Sequence, residues 1–111
     1  MSAESAEQHF LAADIGGTKT DVALFLSSDD SFTPVVTKRY SSRRADGIEE
    51  IISDFLDEHR IRCELISLGI AGIVGEDSAR VTNLPWTITR ESVARLGFSA
   101  VSMINDMTAV A

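Results

Sequence analysis

An aspartate followed at once by a glycine-rich tip, "DIGGTKT" (Asp14 to Thr20), is an arrangement suited to phosphate. Gly16 and Gly17 tolerate positive φ and let backbone N–H groups approach phosphate oxygens closely. Thr18 adds a hydroxyl and Lys19 a positive charge. Asp14 suits a water-mediated ligand of phosphate-bound Mg²⁺, an ion that keeps several waters and takes few carboxylates. The plain alternative is a Gly-Gly hairpin with a solvated lysine, a common turn. A Walker A loop is excluded, because the G-x-x-x-x-G-K-[ST] spacing is absent and a strand follows where that loop needs a helix.

A second constellation closes the chain. In "INDMTAVA", Asn105 and Asp106 follow an apolar run without any turn residue and lead into a helical pattern. Asp106 as a helix N-cap is the structural reading. The chemical reading makes Asn105 a two-bond partner for a hydroxylated substrate and Asp106 a general base. Other features carry less. "GIAGIVG" (Gly69 to Gly75) is spaced G-x-x-G-x-x-G with a hairpin after it, so it is not a dinucleotide fingerprint. "SSDDS" (Ser27 to Ser31) lacks the ligand spacing of a calcium loop and reads as a solvated turn. His9 and His59 have no clustered partners, and Trp86 after Pro85 reads as a core or pocket-wall residue.

The elements that must position these groups follow from hydrophobic periodicity. Phe10 to Ala13, Asp21 to Leu26 and Val35 to Tyr40 read as strands joined by tight turns, hence antiparallel neighbours. Gly47 to His59 changes period: Ile48, Ile51, Ile52, Phe55 and Leu56 form one face of a helix, with Asp46 as its N-cap. "CELISLGIAG" is an almost continuous apolar run, as in a strand buried on both faces. "GIVGEDSARVTNLPW" reads as a hairpin turning at Glu76 to Ala79. Thr89 to Leu96 is a short helix capped by Thr89 and stopped by Gly97, "AVSMIN" is a further strand, and Asp106 opens a last helix.

The order β-β-β-α-β-(hairpin)-α-β-α predicts an α/β fold of ribonuclease-H-like type, a mixed sheet with helices packed against it. Strands reached across a helix return parallel by a right-handed crossover, so the first, fourth and last strands are parallel. Asp14 and Asp106 then converge on the carboxyl edge, where open α/β sheets bind ligands.

Bulk properties narrow the partners. The 111 residues are 44% hydrophobic and 24% charged, enough for one globular domain. A net charge of -7 argues against nucleic acid, whose phosphates call for clustered Lys and Arg. No apolar run approaches the roughly 20 residues of a membrane span, and "MSAESAEQH" has no secretory apolar region. The single Cys63 forms no internal disulfide, sits in an apolar run as a buried inert thiol, and suits the cytoplasm.

The motifs also carry a resemblance. "ADIGGTKTDVALF" resembles the first phosphate motif of the actin, hexokinase and Hsp70 superfamily. "AGIVG", "VTNLPWTI" and "LGFSAVSMINDMTAVA" resemble, in that order, bacterial glucokinases, and the likeness spans Leu11 to Ala111. Lys19 stands where that group often has Asn, Ile73 where Pro commonly follows Ala-Gly, and "GGTKT" is also typical of the related ROK family. The resemblance implies that Asp106 deprotonates the 6-hydroxyl of glucose as it attacks the γ-phosphate of ATP. It implies that Asn105 and Asn83 contact the sugar, that Gly16, Gly17, Thr18 and Lys19 hold phosphates, and that Asp14 positions Mg²⁺. It further implies residues 10–111 as an amino-terminal lobe lacking its second domain and inactive alone. The polar, acidic segment 1–9 is expected to be unstructured, and the apolar start of the last helix, Met107, Ala109 and Val110, is expected to fray or to pack against another copy. A kinase for another hexose or amino sugar, or a non-catalytic ROK-like sugar sensor, is the alternative.

Overall fold

The computed structural model describes residues 7–28 and 31–106. Three strands, β1 (Glu7–Ile15), β2 (Lys19–Ser28) and β3 (Ser31–Ser41), form an antiparallel meander in which Asp14 lies opposite Asp21 and Ile15 opposite Thr20. Helix α1 (Ile48–His59) carries the chain back to β4 (Leu65–Ile70), which pairs parallel to β1 and sets Gly69 beside Asp14. A small antiparallel sheet follows, of β5 (Gly72–Val74), β6 (Ser78–Val81) and β7 (Thr87–Thr89). Helix α2 (Arg90–Ala94) then leads into β8 (Ala100–Asn105), parallel to β4. The main sheet has the order β3-β2-β1-β4-β8. The mixed sheet, the three parallel strands and both helices are those expected from the sequence.

One face of this sheet makes the core. Alternation aims Leu11, Ala13 and Ile15 of β1, Val22 and Leu24 of β2, Ile66, Leu68 and Ile70 of β4, and Val101 and Met103 of β8 to the same side. The apolar stripe of α1, Ile48, Ile51, Ile52 and Phe55, closes over them together with Val93 of α2, Ile88 of the small sheet and Trp86 just before β7. Trp86 is thus a core residue. Cys63 is buried as well, and burial raises its thiol pKa, which keeps it protonated and inert.

Local details differ from the sequence expectation. Strand β1 starts at Glu7, so residues 7–9 pair with Leu26, Ser27 and Ser28 rather than belonging to an unstructured segment. Backbone hydrogen bonding, to which side-chain polarity is a poor guide, extends the ladder there; residues 1–6 lie outside the described residues. Asp46 does not cap α1. The N-cap is Gly47 in extended backbone, and the N–H of Asp46, one residue before it, donates to Glu50 Oε1 at 2.8 Å. Thr89 does cap α2, accepting the Ser92 N–H at 3.1 Å, and Gly97 follows with φ 117°. Strand β7 was not anticipated. Ser27, Ser28 and Ser31 of the acidic turn extend the flanking strands, while residues 29–30 and the helix expected after Asp106, at 107–111, lie outside the described residues. Among the described residues no helix is long and apolar enough to cross a membrane.

Candidate functional site

Parallel pairing on both sides of β4 brings the two ends of the chain together. Asp14 is the last residue but one of β1, and Asp106 immediately follows β8, its N–H donating to the Ile70 carbonyl at 2.9 Å. Both carboxyls meet over Gly69 of β4. A Cβ placed on Gly69 would stand 3.0 Å from Asp106 Oδ2 and 3.4 Å from Asp14 Oδ1, so glycine leaves the floor on which they converge. Desolvation pushes the Asp14 pKa up to about 6, helped by its hydrogen bond with the Asp106 carboxyl and by the charges of Asp106 and Asp21. Two crowded carboxyls that share a proton are also a natural seat for a divalent cation.

Asp21 stands across the β1–β2 ladder from Asp14, and sequence reading missed it. Its signal was available, since period-2 alternation places Asp14 and Asp21 on one face. Arg39 of β3 binds Asp21 through Nε at 2.8 Å and Nη2 at 3.1 Å. That bond and charge, with the charge of Lys19, hold the Asp21 carboxyl below its ordinary range. Gly69 was likewise read only as part of a rejected fingerprint.

The phosphate-type tip projects between β1 and β2. Gly16 N–H closes the turn onto the Lys19 carbonyl at 3.0 Å. Gly17 packs against the β6–β7 connection: a Cβ there would lie 2.9 Å from the Thr82 carbonyl and 3.4 Å from Asn83 Cβ. Glycine is therefore needed at 17 for close packing as well as for any ligand. Asn83, in left-handed backbone with φ 67°, sits against Gly17 of the tip. Thr18 and Lys19 are exposed. Asn105 is exposed at the end of β8, and its Nδ2 donates to the Gly72 carbonyl. One arm of its amide is thereby fixed to β5, and Oδ1, an acceptor, takes no part in that bond.

Among the described residues no group of three or more His, Cys, Asp or Glu could hold a metal ion. The protein side offers Asp14 and Asp106, hard oxygen donors few in number. That set fits Mg²⁺, which completes its octahedron with water and phosphate oxygens.

The fold is that of the ribonuclease-H-like, actin-type sugar kinases, with an acidic pair at the carboxyl edge beside a Gly-Gly-Thr tip. A sequence description of the glucokinase family matches residues 11–111, and the chain belongs to that family. The glucokinase of Xanthomonas campestris pv. campestris (strain B100) is 34% identical over 105 residues, which cover 91% of this chain and 31% of that protein. The chain thus spans about a third of the length of the curated relatives it matches. A crystal structure of glucokinase from an Antarctic psychrotroph superposes with a TM-score of 0.81 at 24% identity, over 89% of this chain and 32% of the other. The glucokinase of Balamuthia mandrillaris, solved in complex with glucose, gives a TM-score of 0.63 at 22% identity, over 93% and 31%.

Proposed function

We propose that this chain is the amino-terminal lobe of an ATP-dependent glucokinase, which transfers the γ-phosphate of ATP to the 6-hydroxyl of glucose in the cytoplasm. The observation that carries the reading is the meeting of Asp14 and Asp106 over Gly69, on the edge from which the Gly16–Gly17–Thr18 tip projects. Phosphoryl transfer asks a protein mainly for positioning and charge stabilisation, with one acid to orient the nucleophile. In this reading Asp106 accepts the proton of the sugar hydroxyl. Asn105, held by Gly72, offers Oδ1 to a neighbouring hydroxyl. Gly16, Gly17 and Thr18 turn toward the phosphates, with Lys19 adding charge and Asn83 at the junction of tip and sugar. Asp14 would hold Mg²⁺ through water, and the ion when bound supplies positive charge to the phosphate oxygens.

The lobe by itself offers one wall of a cleft. An Asn–hydroxyl and an Asp–hydroxyl bond contribute roughly 0.5–1.5 kcal/mol net each, up to about 3 for the charged one. The sum falls short of millimolar affinity, about -4.1 kcal/mol, once the ligand's lost freedom is counted. The isolated chain is therefore expected to be inactive. The sheet face left uncovered by the described residues, where Phe32 is 68% and Ile104 54% exposed, favours self-association.

A coupled assay for sugar 6-phosphate tests the reading on the 111-residue chain and on an intact kinase that contains it, across a panel of hexoses. Glucose should be the preferred substrate of the intact kinase, and the lone lobe should give none of the product. Preference for another hexose or an amino sugar would reassign the substrate, and turnover by the lone lobe would overturn the lobe assignment.

A further inference from the structure

Only two polar side chains among the described residues are fully buried, Thr20 and Ser42, and they touch each other. Ser42 opens the short 3-10 turn Ser42–Arg44 between β3 and α1, and it reaches the phosphate-type tip twice. Its N–H donates to the Thr18 carbonyl at 2.9 Å, and its hydroxyl donates to the Gly16 carbonyl at 2.8 Å. A hydroxyl has one proton, so the 2.8 Å contact between Thr20 Oγ1 and Ser42 Oγ is a bond donated by Thr20. The relay therefore runs from Thr20 to Ser42 to Gly16, each bond polarising the next in a site shut off from water.

We propose that Ser42, oriented by Thr20, is a positioning residue that presents the tip to the phosphates of the nucleotide. The assignment rests on the kinase reading above. An anion must meet N–H groups and be spared carbonyl lone pairs. Ser42 engages the carbonyls of Gly16 and Thr18, while Gly16 N–H is committed to Lys19. Among the described residues nothing engages the N–H groups of Gly17 and Thr18. Those two donors are what the tip has to give. The Thr82 carbonyl packed under Gly17 supports the other side, so the tip is held between two elements distant in sequence.

Ser42 touches no ligand in this account, so its loss must appear in nucleotide recognition while sugar recognition stands. In the intact kinase, Ser42→Ala leaves the Gly16 carbonyl unpaired and frees the tip to turn it outward. The KM for ATP should rise by about fivefold or more, the scale of one buried hydrogen bond, with the KM for glucose within about twofold. Thr20→Val keeps the shape of the side chain and removes the donor, and should reproduce a smaller part of the same shift. Thr20→Ser restores the hydroxyl and should return the KM for ATP to near the wild-type value. Should Ser42→Ala fail to fold, the Thr20→Val and Thr20→Ser pair gives the same comparison. Variants that lower the melting temperature with both KM values unchanged, or that raise both together, overturn the proposal and leave a purely structural hydrogen bond. A wild-type kinase that phosphorylates no sugar from ATP fails earlier and visibly, and takes the kinase reading and this one with it.

Discussion

The two faces of the five-stranded sheet follow different rules. On the core face, Leu11, Ile15, Val22, Leu68 and Ile70 are fully covered by the helices and the small sheet. On the opposite face alternation presents Phe10, Ala12 and Asp14, then Asp21, Ala23 and Phe25, then Leu65, Ser67 and Gly69. Phe10 stacks on Phe25 at 5.3 Å and meets Phe32 edge-on at 5.6 Å, and a groove of about 310 Å³ opens between Phe10, Leu65, Ala100 and Ser102. Parallel strands are ordinarily covered on both sides. The core face is a finished interior. The other face is small, apolar and acidic, and all the carboxyl groups of the candidate site belong to it. Under the proposed function, stability and chemistry are divided between the two sides of one sheet.

The division can be broken most forcefully from the core side. Phe55 of α1 is fully buried and packs against the His59 ring at 4.4 Å. Phe55→Ala should cost about 3–5 kcal/mol, a large part of the roughly 5–15 kcal/mol that holds a domain together. A urea melt of the chain should show the midpoint collapse or the transition disappear.

The acidic pair should respond to pH in the direction opposite to a salt bridge. The Asp14 pKa is raised from 3.8 to about 6, so the folded state favours the protonated carboxyl. Stability from this group is complete below about pH 4 and is lost as pH rises through about 6. Asp14→Asn imitates the protonated form and removes the loss. Its melting temperature should exceed that of the wild type at pH 7.5, and the gap should close near pH 4. A gap that widens on acidification would mean that the Asp14 charge is stabilised, against the crowding with Asp106 and Asp21.

The smallest effect belongs to the open face. Phe32 is 68% exposed and makes one edge-on ring contact. Phe32→Thr should cost the isolated chain no more than about 1 kcal/mol, by the same urea melt. A loss comparable to that of Phe55→Ala would show that the face is covered in solution and that the contrast between the two sides is false.

The sequence was legible where one side of an element is buried. The helical period of Ile48, Ile51, Ile52 and Phe55 and the alternation of Leu11, Ala13 and Ile15 identify α1 and β1 because the core face imposes them. Strand ends held by backbone pairing left no such mark, as at Glu7 to His9, and three-residue β7 after Pro85 is too short to show a period. Asp14 and Asp106 could be brought to one rim by topology alone. Gly69 as the floor beneath them and the tie from Ser42 to Gly16 each depend on the register of distant strands or a contact across more than 20 residues. Single-sequence patterns do not carry those relations. Asp46 illustrates the converse: the residue type was right for a cap, but Glu50 supplies the side-chain bond.

Asp106→Asn in the intact kinase tests the assignment of chemistry to the open face most directly. The amide keeps the shape and the hydrogen-bonding reach of the side chain but cannot accept the sugar proton as a base. Glucose affinity, measured calorimetrically, should stay within about threefold, while turnover in the coupled assay should fall by at least ~100-fold. Near-normal turnover would contradict the catalytic role and leave Asp106 as an ordinary residue closing a strand.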